Sequence, residues 1–167
     1  MKKLFCLLLT VIVVFSVSPT AFATTNQFLQ EDDTVIHSVD PENVVFASDK
    51  HKPLNMNTSV PARGNYQSLE FAGFDKEVVV LADQSFTRTS SGTIRLEINS
   101  CSWQPSTNDV EIGFYRVESG TCYGKTLSGG TVRRTYSFSL PTGTYYVYAM
   151  NKGPGRLTSA LMYYDVH

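Results

Sequence analysis

Phe138-Ser-Leu-Pro-Thr-Gly-Thr-Tyr-Tyr-Val-Tyr-Ala-Met-Asn151 is the stretch whose reading decides the fold class. It joins a strand end, a Pro/Gly turn and a Tyr-rich strand, the chemistry of an antiparallel β-protein. Two local geometries fit. Pro141 and Gly143 suit a tight hairpin turn. Alternatively, Leu140, Gly143 and Tyr146 form a corner where the chain passes between two sheets, with the Tyr146 hydroxyl bonded back to the corner. Either way Tyr146, Tyr148 and Met150 share one face, and Tyr145, Val147 and Ala149 the other. Leu140-Pro-Thr-Gly-Thr144 is not a wall-sorting signal. The order is wrong, and no apolar tail follows.

The same period-2 pattern runs outward from this stretch. Val78–Ala82 reads as a buried strand, and Ser85–Thr89 follows it. In 93–100, Ile94, Leu96 and Ile98 alternate with Arg95, Glu97 and Asn99. In 109–117, Val110, Ile112 and Phe114 point inward. Val132, Tyr136, Phe138 and Leu140 line one face of 131–140, and 157–166 is the last strand. No window has useful helical periodicity. Residues 66–167 are therefore expected to form an all-β, two-sheet antiparallel sandwich of seven or eight strands.

The N-terminus bears on compartment. Lys2 and Lys3 precede an apolar run from Leu4 to Val17. Pro19 breaks it, and Ala21-Phe22-Ala23 fits a cleavage site. Residues 1–23 read as a secretory signal peptide, too short for a membrane span of roughly 20 apolar residues. The remaining 144 residues carry 12 basic and 15 acidic side chains, a net charge of −3. No basic cluster suggests nucleic acid. No second spanning run occurs. Residues 24–65 are acidic and poor in apolar clusters, and read as a flexible linker or pro-segment, or as an arm adding one strand to the domain. Arg63-Gly64 would be accessible to a protease there.

Signal cleavage leaves Cys101 and Cys122, which a secreted protein would normally pair. The strand pattern argues otherwise. A hairpin of 94–103 with 109–117 puts the two cysteines about 20 Å apart along the sheet, and a bridge needs Cα atoms within about 7 Å. The disulfide stays open.

Catalytic chemistry finds little support. His37 and His51 lie in the expected linker, and His167 ends the chain. A nucleophile–His site or a tetrahedral zinc set would have to recruit them. Glu97 and Glu111 read as solvated outward residues, too far apart for a glycosidase pair. Asp83 and Asp109 flank loops, but a calcium site needs six or more oxygens and the sequence offers too few. No cofactor is expected. Trp103 falls in phase with Arg95 and Glu97, so it is expected to face out beside the 104–108 loop. With Tyr115, Gln104 and Asn108 it would make a surface for sugar stacking or protein contact; alternatively, Trp103 folds over the sheet edge as a lid on the core.

Phe138-x-Leu-Pro-x-Gly-Thr-Tyr-Tyr-Val, together with Asp83-Gln-Ser-Phe86 and Ser91-Gly-Thr-Ile-Arg-Leu96, resembles bacterial pre-peptidase C-terminal domains over residues 66–167. The resemblance implies a sandwich of jelly-roll type, appended in that family to secreted enzymes, with some relatives binding calcium, collagen or carbohydrate. No enzyme domain is expected beside it. The expectation is a secreted, extracellular, non-catalytic binding or adhesion module for a carbohydrate or protein. The alternative is a structural or accessory protein that self-associates.

Overall fold

The computed structural model describes residues 33–50 and 66–167. The expected signal peptide and the Arg63-Gly64 site lie outside the described residues. Ten strands are formed: β1 (Val35–Ser38), β2 (Val44–Phe46), β3 (Gln67–Glu70), β4 (Val79–Arg88), β5 (Gly92–Gln104), β6 (Val110–Arg116), β7 (Thr121–Leu127), β8 (Thr131–Leu140), β9 (Gly143–Asn151) and β10 (Ser159–Val166). A 3-10 turn (Pro41–Asn43) separates β1 from β2, and one helical turn, α1 (Ala47–Lys50), follows β2.

The strands make two packed sheets. The six-stranded sheet has the order β1-β7-β6-β9-β4-β2, and the four-stranded sheet β3-β10-β5-β8. Every pairing is antiparallel except β2 with β4. This is the expected sandwich. Leu96, Ile98, Phe138 and Met162 from one sheet meet Val80, Ile112, Phe114 and Val147 from the other, forming the main core. Phe114 packs edge-on against Phe138 across it, with ring centroids 5.0 Å apart.

The Leu140–Tyr145 segment is a corner, since β8 and β9 belong to different sheets. Its tyrosine is Tyr145, not Tyr146: the Tyr145 hydroxyl donates to the Pro141 carbonyl at 2.9 Å. Tyr145 lies on the core-facing side of β9 with Val147 and Ala149, whereas Tyr146 faces outward and packs edge-on against Phe46. Leu140 is buried in the core as expected. Gly143 has φ 151°, and a Cβ there would strike the side chains of Arg116 and Glu118.

The β5–β6 hairpin does not form. Each strand buries an apolar face, and the two faces meet across the core instead of lying side by side. The 105–109 segment crosses between the sheets. The Trp103 indole donates to the Asn108 carbonyl at 2.7 Å and fixes that crossing.

Residues 33–50, read from the sequence as linker, pro-segment or an arm adding one strand, form an arm that adds two strands to the six-stranded sheet. β1 pairs with β7 at one edge, and β2 with β4 at the opposite edge. Val39, Val44 and Phe46 pack on the outer face of that sheet, against Val79, Leu81, Tyr115, Cys122, Tyr148 and Met150. This N-terminal arm thus encloses a second apolar cluster, opposite the main core. Among the described residues no helix is long and apolar enough to cross a membrane.

Candidate functional site

The exposed Trp103 surface does not exist; of the two readings of this residue, the one that sets it against the core is the nearer. Trp103 is 1% exposed and lies in the main core. The reason is a β-bulge. Ile98 and Cys101 of β5 face Arg134 and Val132 of β8, so β5 carries one residue more than its partner there. The extra residue inverts the alternation, turning Cys101 and Trp103 inward. Asn108 is buried too. Its amide donates to the Gly155 carbonyl at 2.6 Å and to Asn151 Oδ1 at 3.2 Å, tying two loops together. Tyr115 lies beneath the arm, and Gln104 alone of the four is exposed.

Cys101 and Cys122 are free, buried thiols. They sit on different sheets and in different apolar clusters, so the pairing left open by the sequence is absent. Burial pushes each thiol up to about 12, helped at Cys122 by the charge of Glu111.

Glu111 does lie on the outward side of β6, as its phase requires, but it is not solvated. It is fully buried under the arm. Its Oε1 accepts from the Tyr148 hydroxyl at 2.5 Å and from His37 Nε2 at 2.6 Å. Its Oε2 has no hydrogen-bond partner, and Lys152 Nζ stands 3.8 Å away. Gly124 makes this arrangement possible: a Cβ there would fall 2.3 Å from the Tyr148 oxygen and 2.6 Å from Glu111 Oε1. Tyr148 titrates well above the ordinary tyrosine range, through burial and then its neighbours Cys122 and Glu111. A buried carboxylate is tolerated only with such partners. One of them, His37, comes from the arm.

A cleft of about 190 Å³ opens beside this cluster, lined by His37, Ser38, Val39, Asp40, Asn43, Glu77, Met150 and Lys152. Five of these belong to the arm. Glu77 precedes β4, and Met150 and Lys152 lie at the end of β9. His37 and Lys152 therefore face the cleft and also contact Glu111. Asp40 precedes the 3-10 turn but makes no side-chain capping bond to it. Glu77 holds φ 65°, the left-handed region that costs an L-residue roughly 1–2 kcal/mol.

Glu97 lies on the outer face of the other sheet, so it and Glu111 do not pair. Glu97 accepts from Tyr66 at 2.9 Å and contacts His167 Nε2 at 3.2 Å, and these bonds hold its carboxyl below the ordinary range. Asp109 accepts from Ser128, and Asp83 is an exposed residue of β4. Among the described residues no group of three or more His, Cys, Asp or Glu side chains is placed to hold a metal ion.

No protein-family model matches the chain, and no curated protein matches it.

Of the readings of residues 33–50, linker, pro-segment or strand-adding arm, the arm holds, with two strands in place of one; β7 was missed. The arm's strands are only four and three residues long, at or below the shortest run in which alternation can be counted. Gly124 interrupts β7 in sequence, although its position opposite Gly113 is where backbone and a buried side chain approach closely.

Proposed function

We propose that the chain is a secreted, non-catalytic module that binds an extracellular carbohydrate or protein, with the cleft beneath the N-terminal arm as its recognition point. One observation carries this reading: charged and amide side chains from the arm, from the approach to β4 and from the end of β9 converge on one cleft, where they can engage a polar ligand through hydrogen bonds. Secretion rests on the residue pattern of 1–23, and the resemblance to pre-peptidase C-terminal domains is in keeping with an extracellular module. The non-catalytic reading rests on Glu111. It is the one buried carboxylate among the described residues, and its Oε1 is engaged by Tyr148 and His37. An acid held in that way supports the arm better than it serves proton transfer to a substrate.

A glycan and matrix-protein array tests the reading. Binding by the wild type that is lost in the double variant Asp40→Ala/Asn43→Ala, with melting unchanged, supports it. Both positions are exposed, so the fold should tolerate the change. Array binding that survives the double variant contradicts the cleft as the recognition point.

Self-association is the second reading, favoured by β1. That strand is an edge of its sheet, and Val35 and Ile36 are 41% and 62% exposed. An apolar, unpaired edge is a template for a second chain. A concentration-dependent oligomer abolished by Ile36→Lys, together with an empty array, would favour it.

A further inference from the structure

We infer that the cleft beneath the arm takes one neutral sugar residue, recognised through its hydroxyl groups; this rests on the binding reading above and narrows it. The lining mixes charges of both signs. Asp40 and Glu77 are acids, Lys152 is a cation, and Asn43 and Ser38 are neutral. A simple anion entering the cleft meets two carboxylates, and Glu111 lies behind them. A simple cation meets Lys152. A hydroxyl group is both donor and acceptor: it can donate to Asp40 or Glu77 and accept from Lys152 or Asn43. Several hydroxyls on a rigid ring satisfy these groups together without introducing an unmatched charge.

Size and apolar contact point the same way. About 190 Å³ is below the roughly 300 Å³ at which drug-sized pockets begin. It suits one ring, not an extended oligosaccharide or a peptide segment. Val39, partly exposed in the lining, offers apolar atoms to the C–H face of a ring. Glu111 holds the polar wall in place from behind: His37 is bonded to it, and Lys152 lies 3.8 Å from its free oxygen. The charge of that oxygen draws the Lys152 ammonium toward the inner end of the cleft.

The test is a titration of the intact protein, followed by amide NMR shifts. The probes are galactose, mannose and N-acetylglucosamine, set against glucosamine, glucuronate and acetyl-lysine amide. The expected result is saturable shifts at cleft residues with at least one neutral sugar, with a dissociation constant on the order of 1 mM. Asp40→Ala and Asn43→Ala should each weaken this at least about fivefold, with melting unchanged. Saturable shifts only with the charged probes overturn the sugar inference and leave the binding reading standing. So does an empty titration combined with array binding to a protein that Asp40→Ala/Asn43→Ala abolishes. An empty titration and an empty array overturn both.

Discussion

Gly124 is where the backbone makes room for a buried charge. Any Cβ there meets the Tyr148 hydroxyl and Glu111 Oε1, so Gly124→Ala must push apart a hydrogen-bonded pair that has no solvent to turn to. A loss of about 2–3 kcal/mol is expected in denaturant unfolding. Glu77 is the opposite case. Its φ of 65° suits glycine, so Glu77→Gly should stabilise the fold by about 1 kcal/mol while weakening whatever the cleft binds; calorimetry and titration of one variant check both. Glu97 gives a pH effect. Its carboxyl is lowered from the ordinary value of 4.5, first by the Tyr66 hydrogen bond and then by His167. The folded state thus holds that proton less tightly than the unfolded chain. The associated stability is present above 4.5 and is lost as pH falls through the lowered value. Tyr66→Phe should be less stable than wild type at neutral pH, and the difference should shrink as pH falls below 4.5. A pH series of unfolding curves reads this directly.

At the scale of elements, the N-terminal arm is fastened at three places: to β7, to β4, and through His37 to the carboxylate of β6. The His37–Glu111 contact should therefore couple arm to sheet. His37→Ala is expected to cost about 1–3 kcal/mol. It should cost distinctly less in a Glu111→Gln background, and the double-mutant cycle gives the coupling. Much of this level was legible in the sequence. The strands of 93–100 and 109–117 alternate because each has one face on the main core, whereas 143–151 reads as a near-continuous apolar run because both of its faces are covered. The corner was legible in Leu140 and Gly143, although its hydroxyl came from Tyr145. Two things were hidden. A bulge at 99–100 leaves no compositional trace, and it decides the direction of Trp103. The partner of β5 across the core could not be told from a partner beside it, because both satisfy the same apolar face.

At the scale of the whole molecule, the two sheets differ in what covers their outer faces. The four-stranded sheet presents Arg95, Glu97 and Tyr163 outward. The six-stranded sheet carries an apolar cluster and a buried carboxylate, enclosed by the arm. Glu111 was placed on the right face by its phase. Its surroundings were not legible, since they depend on a segment whose composition resembles a linker. The fold needs no disulfide, because the main core draws apolar side chains from both sheets. Cys122 lies on the arm-covered side and Cys101 in the main core, so the two thiols report on different parts of the sandwich.

Native-state alkylation at pH 8, read by mass spectrometry, tests most directly whether the arm is an integral cover of the sheet. With both thiols buried and pushed up to about 12, neither should label in the intact protein. In His37→Ala/Phe46→Ala, which releases the arm's bond to Glu111 and its ring contact with Tyr146, Cys122 should label well ahead of Cys101. Labelling of Cys122 in the intact protein at the rate of an exposed cysteine, or equal protection of both thiols in the variant, would contradict the account.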